Sequence, residues 1–136
     1  MTVKEYLSQI YYAKLKLQRL QERREILYER MKGISSPGMG ERVQTSPEDK
    51  MPKIMAKLDG IDRKIAGQIE REQMLIEKIS VQVEAVEPLQ YRELLALRYI
   101  NCLPWAVIAD RMGYTERRLF QLHGTALAIF ARKHFI

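Results

Sequence analysis

The chain has 136 residues and a net charge of +6, with 29% of its residues charged, seven Gly, five Pro and a single cysteine. That length allows one compact domain, or a small domain plus an extended element, and the composition favours long helices. Cys102, being alone, excludes an intrachain disulfide and fits a reducing cytoplasm.

The charge is uneven. Residues 1–34 carry eight basic and four acidic side chains, residues 35–86 eight and nine, and residues 87–136 seven and four. A basic balance of this size suits an anionic partner without proving one. Lys4, Glu5, Lys14, Lys16 and Arg19 rule out a signal-peptide apolar region, and no run approaches the ~20 apolar residues of a membrane span.

Thr2-Val3-Lys4-Glu5 reads as a capping box opening a helix over roughly 3–33. Val3, Tyr6, Ile10, Ala13, Leu17, Leu20, Arg24, Leu27, Met31 and Ile34 follow at alternating spacings of 3 and 4, a heptad seam with one polar member, Arg24. Residues 33–52 break the pattern with Gly33, Pro37, Gly38, Gly40, Pro47 and Pro52. A connecting loop is expected at about 34–49, and its segment 40–46 reads as a flexible connector or a phosphate-contacting arm.

The second long helix is expected to start near Asp49, with Pro52 in its first turn. Its apolar stripe is Ile54, Leu58, Ile61, Ile65, Ile69, Ile76, Ile79, Val83 and Val86, with Glu72 as the polar member. An extra spacing of 4 from Ile65 to Ile69 departs from the strict heptad. Neither helix is stable with its stripe exposed, so an antiparallel coiled-coil hairpin over 1–86 is expected. Tyr11, Leu15, Ile26, Met55, Leu75 and Val81 lie off the seam, which points to a homodimer through this element.

Residues 87–136 are expected to form a second domain. A helix from Leu89 to about Ile100 presents Leu89, Leu94, Leu95, Leu97 and Tyr99, and Pro104 suits the first position of the next helix, through Met112. Trp105 and Ile108 are expected to bury against Leu95 and Tyr99. Gly113 then supplies a left-handed turn, and Thr115 a cap for a last helix with the stripe Leu119, Leu122, Ala126 and Ile129. This is the pattern of a helix-turn-helix, in which the start of the second helix reads base edges. Thr115, Glu116, Arg117, Arg118, Gln121, His123 and Thr125 are the candidate DNA-contacting residues; a plain helical hairpin with a solvated charged end also fits the pattern.

Arg92 to Tyr99, Ile108 to Glu116 and Ala126-Leu127 resemble region four of bacterial sigma factors, over roughly residues 89–130. The whole chain is similar to small phage and prophage proteins carrying that module at the C-terminus, the ArpU-like and RinA-like late transcription regulators and their relatives. Tyr99-Ile100-Asn101, Gly113 to Arg117 and Leu122 to Leu127 carry the narrower likeness. Pro104, Ala106, Val107 and Phe120 depart from the sigma pattern, and nothing resembles sigma region two. The resemblance implies an all-α protein of the bacterial cytoplasm that binds double-stranded DNA in a sequence-specific way and adjusts transcription, with host RNA polymerase as a further candidate partner.

No catalytic constellation stands out, and neither an enzyme nor a cofactor is expected. His123 and His134 lie eleven apart and Cys102 is single, so no metal-ligand spacing results. Asp59, Asp62, Glu70 and Glu72 sit among Lys and Arg and read as surface charge. The alternative function is a DNA-packaging protein, similar to a terminase small subunit, or another helical assembly protein. Packaging proteins of that kind place the DNA-binding module first, whereas here it comes last.

Overall fold

The computed structural model describes residues 1–35 and 47–135, which form helices joined by turns, with no strand among them. They are α1 (Val3–Leu7), α2 (Gln9–Ser35), α3 (Pro47–Glu84), α4 (Leu89–Leu95), which continues as a π-helical turn over Ala96–Ile100, α5 (Trp105–Met112) and α6 (Glu116–His134). None of these helices is long and apolar enough to cross a membrane. The expected 40–46 arm lies outside the described residues.

The chain divides into two units. The first joins Met1–Lys14 to Arg71–Ile136, and the second is Leu15–Glu70. The division therefore falls inside the long helices rather than at residue 86, the boundary expected from sequence. The reason lies in the core of the first unit. Leu7, Ile10, Ile79, Val83 and Val86, from the ends of the long helices, are buried in one cluster with Leu94, Leu95, Tyr99, Ile108, Ala109, Leu119, Leu122, Ala126 and Phe130. At about 1.5–3 kcal/mol for each large apolar side chain removed from water, the first five add substantially to the core around residues 87–136.

The first turn is built as the sequence demands. The Glu5 amide donates to Thr2 Oγ1 at 3.1 Å, and the Thr2 amide donates to Glu5 Oε2 at 2.9 Å. Helix formation then falters at Ser8, whose hydroxyl donates to the Lys4 carbonyl at 2.6 Å. Ser8 marks the division of the expected continuous helix into α1 and α2, while the ladder bonds from the Ser8 amide to the Lys4 carbonyl at 2.9 Å and from the Tyr12 amide to the Ser8 carbonyl at 3.2 Å are both kept. Across from these turns, the Tyr6 hydroxyl bonds Gln82 and Lys14 pairs with Glu72, so that rising numbers on one helix meet falling numbers on the other. The two helices are antiparallel here. The C-terminal end of α6 is tied to α3 by His134 Nε2, 2.9 Å from the Gln82 carbonyl oxygen.

In the second unit Leu27, Leu58 and Ile61 are buried together, with Met31, Ile54 and Ile65 packed against them. Arg24, the polar member of the seam, donates to Asp62. The seam departs from expectation at one step. Gln68 is 5% exposed and Ile69 is 39% exposed, so the glutamine and not the isoleucine faces inward. Ile54, Leu58, Ile61, Ile65 and Gln68 thereby keep the alternation of 4 and 3, because the register of the whole stripe outweighs the hydrophobicity of one residue. The start of α3 also differs: Pro47 opens it two residues before Asp49, and Pro52 stands inside the helix rather than in its first turn. Pro52 has no N–H, so one rung of the ladder is missing there.

Candidate nucleic-acid interface

The candidate surface is the start of α6, set by what precedes it. The π-helical turn closes with the Asn101 amide donating to the Ala96 carbonyl at 2.9 Å. Cys102 reverses the chain with φ 56°, and the Leu103 amide reaches back to the Leu97 carbonyl at 3.0 Å. Arg98 braces this reversal: Nη1 donates to the Leu103 carbonyl at 3.0 Å, and the guanidinium lies 4.6 Å from the centre of the Trp105 ring. Pro104 takes the cap position before α5 rather than its first turn.

Gly113 ends α5 in the left-handed region, φ 74° and ψ 27°, with its amide on the Ala109 carbonyl at 2.9 Å. An L side chain is disfavoured there, which is why glycine stands at this turn. Thr115 then caps α6, its Oγ1 accepting from the Arg118 amide at 3.1 Å. Buried Leu119, Leu122 and Ala126 fix the inner face of α6, together with Phe130, which is buried where Ile129 was expected. The opposite face at the start of α6 is exposed and carries Thr115, Glu116, Arg117, Arg118, Gln121 and Thr125.

These six candidates are brought together, but not equivalently. Arg118 Nη1 donates to Gln121 Oε1 at 3.2 Å, and the Thr125 hydroxyl bonds the Gln121 carbonyl at 3.4 Å. Arg117 has no hydrogen-bond or ion-pair partner among the described residues, so its five N–H donors are open to solvent. Glu116 sits in the first turn, where a negative charge is favoured by the helix dipole.

His123, named with the others from sequence, is turned the other way. Its Nε2 is 2.6 Å from the Tyr99 hydroxyl, its ring stacks on Tyr99 at 5.8 Å, and it meets Trp105 edge-on at 4.7 Å. Burial lowers its pKa from 6.5 to about 4, helped by the positive charges of Lys4 and Arg98. Burial likewise pushes the Tyr99 hydroxyl up to about 12. A neutral, inward imidazole offers no cation to a phosphate; its place is beneath the surface, holding α6 to the π-helical turn.

Phe120 is the residue that sequence reasoning left out. It is exposed on the same face, with its ring edge-on to Trp105 at 5.4 Å. It lies three residues after Arg117 and four before Gly124, so helical spacing alone could have placed it there. Trp105, expected against Leu95 and Tyr99, packs against the core that holds both, and it also forms an aromatic cluster with Phe120 and His123 and carries Arg98 on its face.

No family model matches the chain, and neither a curated protein nor a solved structure is found to be similar to it.

Proposed function

We propose that this chain is a sequence-specific, DNA-binding transcriptional regulator in which α5 and α6 act as a helix-turn-helix and α6 reads double-stranded DNA. The observation that carries this reading is a coincidence at one end of one helix. A left-handed Gly113 turn, a Thr115 cap and an exposed cluster of Glu116, Arg117, Arg118 and Gln121 meet where such a module presents its reading side chains. An arginine bidentate to guanine, or a glutamine bidentate to adenine, gives about 1–3 kcal/mol of discrimination. Phe120 adds an apolar surface of the kind that meets a thymine methyl group. The resemblance of residues 89–130 to sigma region four supports the same reading.

The antiparallel long helices serve as a coiled-coil hairpin that self-associates, so that two α6 helices address one operator. Tyr11, Ile26, Met55 and Val81, exposed off the seam, support association through this element.

The test is fluorescence anisotropy on a site selected from random duplexes and on a scrambled one, each at two salt concentrations. Arg117→Ala and Arg118→Ala are expected to separate. One relaxes preference at a defined base pair; the other lowers affinity for all sequences and reduces the salt slope by about one. If both variants bind as the parent does, α6 is not the reader.

A further inference from the structure

Beside the seam of the second unit, α2 and α3 leave a hollow of about 490 Å³. Ile26 forms one wall, and Gly60 leaves the other open: a Cβ built on Gly60 would meet nothing within 4 Å. Arg23 and Arg30 stand on the α2 rim, Lys57 and Lys64 on the α3 rim, and no acidic residue among the described ones lines the hollow. None of these four cations has a hydrogen-bond or ion-pair partner among the described residues. The opposite side of the same seam is different, for there Arg24 pairs with Asp62. Unpaired cations around an apolar floor call for an occupant that is apolar along its centre and acidic at its edge.

The spacing narrows the choice. Arg23 and Arg30 are seven residues apart, as are Lys57 and Lys64, which is two helical turns or about 10.5 Å. Two copies meeting groove to groove would set eight cations against one another. The chain does carry a complementary surface elsewhere. On α3, Met74 and Val81 are 63% and 65% exposed, seven residues apart. Glu77 and Glu84, also exposed, repeat at that same interval beside them. Neither glutamate has an ion-pair partner among the described residues. Lys78, next to the stripe, lies 5.9 Å from the Tyr6 ring centre of its own chain. Arg71 borders the stripe with the sign that the groove disfavours.

We infer that the basic groove of Arg23, Arg30, Lys57 and Lys64 receives the Met74, Glu77, Val81, Glu84 stripe of a second copy of this chain. The inference rests on the self-association proposed above and gives it a surface: Met74 or Val81 seats in the notch at Gly60, and the glutamates lie over the rim cations. A nucleic acid is the weaker candidate, because the floor offers neither a polar group nor an aromatic ring for a base to stack on.

The experiment is sedimentation equilibrium of the full chain and two charge-reversed variants, with thermal melts to check that each folds. One variant carries Lys57→Glu and Lys64→Glu, the other Glu77→Lys and Glu84→Lys. Like charges juxtaposed at an interface cost several kcal/mol, so each variant alone is expected to associate at least about tenfold more weakly than the parent. An equimolar mixture restores association, since each reversed surface then meets its complement. Gly60→Ala, whose added Cβ meets nothing within 4 Å in its own chain and narrows the notch, weakens association while the melt is held or raised. A monomeric parent at tens of micromolar would overturn self-association itself. A dimeric parent whose variants are also dimeric, or whose mixture is no tighter than either alone, would leave the dimer standing and overturn this groove as its interface. Lower DNA affinity with unchanged association in the Lys57 and Lys64 variant would make the rim a phosphate contact and likewise overturn the inference.

Discussion

The Tyr99 hydroxyl and His123 Nε2 lie 2.6 Å apart, joining the π-helical turn to α6 beneath the candidate DNA surface. His123 is held neutral, its pKa lowered from 6.5 to about 4 mainly by burial. The unfolded chain therefore takes up a proton on this ring at a higher pH than the folded chain does. The resulting stabilisation is complete above about pH 6.5 and is lost as the pH falls toward 4. Melting temperatures of the parent should drop across that window, and His123→Phe should flatten the slope. A parent melt independent of pH between 6.5 and 4 would contradict the buried, neutral imidazole.

Two glycines are expected to respond in opposite directions. At Gly113, with φ 74°, alanine must adopt the left-handed conformation at a cost of about 1–2 kcal/mol. Gly124 lies within α6, and a Cβ there meets nothing within 4 Å, so alanine should stabilise by about 0.5–1 kcal/mol. Urea titrations of both variants test the pair, and equal effects would argue against the turn described here. Thr115→Ala, which removes the α6 cap, should cost about 1 kcal/mol in the same titration.

Leu7, although near the N-terminus, is expected to behave as a core residue of the helix-turn-helix region. It is fully buried in the cluster that holds Leu122 and Phe130, and Leu7→Ala should cost about 2–5 kcal/mol. For the same reason residues 87–136 alone should show no cooperative melt and poor dispersion of amide resonances. A well-dispersed spectrum from that fragment would refute the shared core.

The seam of the second unit gives a paired measurement. Ile61 is buried, whereas Ile69 is 39% exposed. Ile61→Ala should cost about 2–5 kcal/mol, and Ile69→Ala much less. Comparable losses would restore the register in which Ile69 faces inward. The small cluster of Leu27, Leu58 and Ile61, against fourteen buried residues in the other unit, also predicts faster amide exchange in the second unit.

Much of the fold was legible in the sequence, because the features concerned are local. The Thr2 capping box, the stripes at spacings of 3 and 4, the Gly113 turn and the Thr115 cap each depend on residues within a few positions of one another. The outward cluster from Thr115 to Gln121 followed from the same helical spacing once Leu119 and Leu122 were read as the inner face. Other features depend on contacts between distant residues. Gln68 rather than Ile69 enters the seam because the register is a property of the whole stripe. His123 reads as a polar surface residue until Tyr99, 24 positions away, and Trp105 are seen to enclose it. The sequence by itself determined the apolar stripes of the long helices, the Thr2 capping box, the Gly113 turn and the Thr115 cap, since backbone preference and periodicity act over a few residues. Only the tertiary structure decided that the ends of the long helices complete the C-terminal core, and which polar side chains of α6 face outward, because burial is settled by residues far apart in the chain.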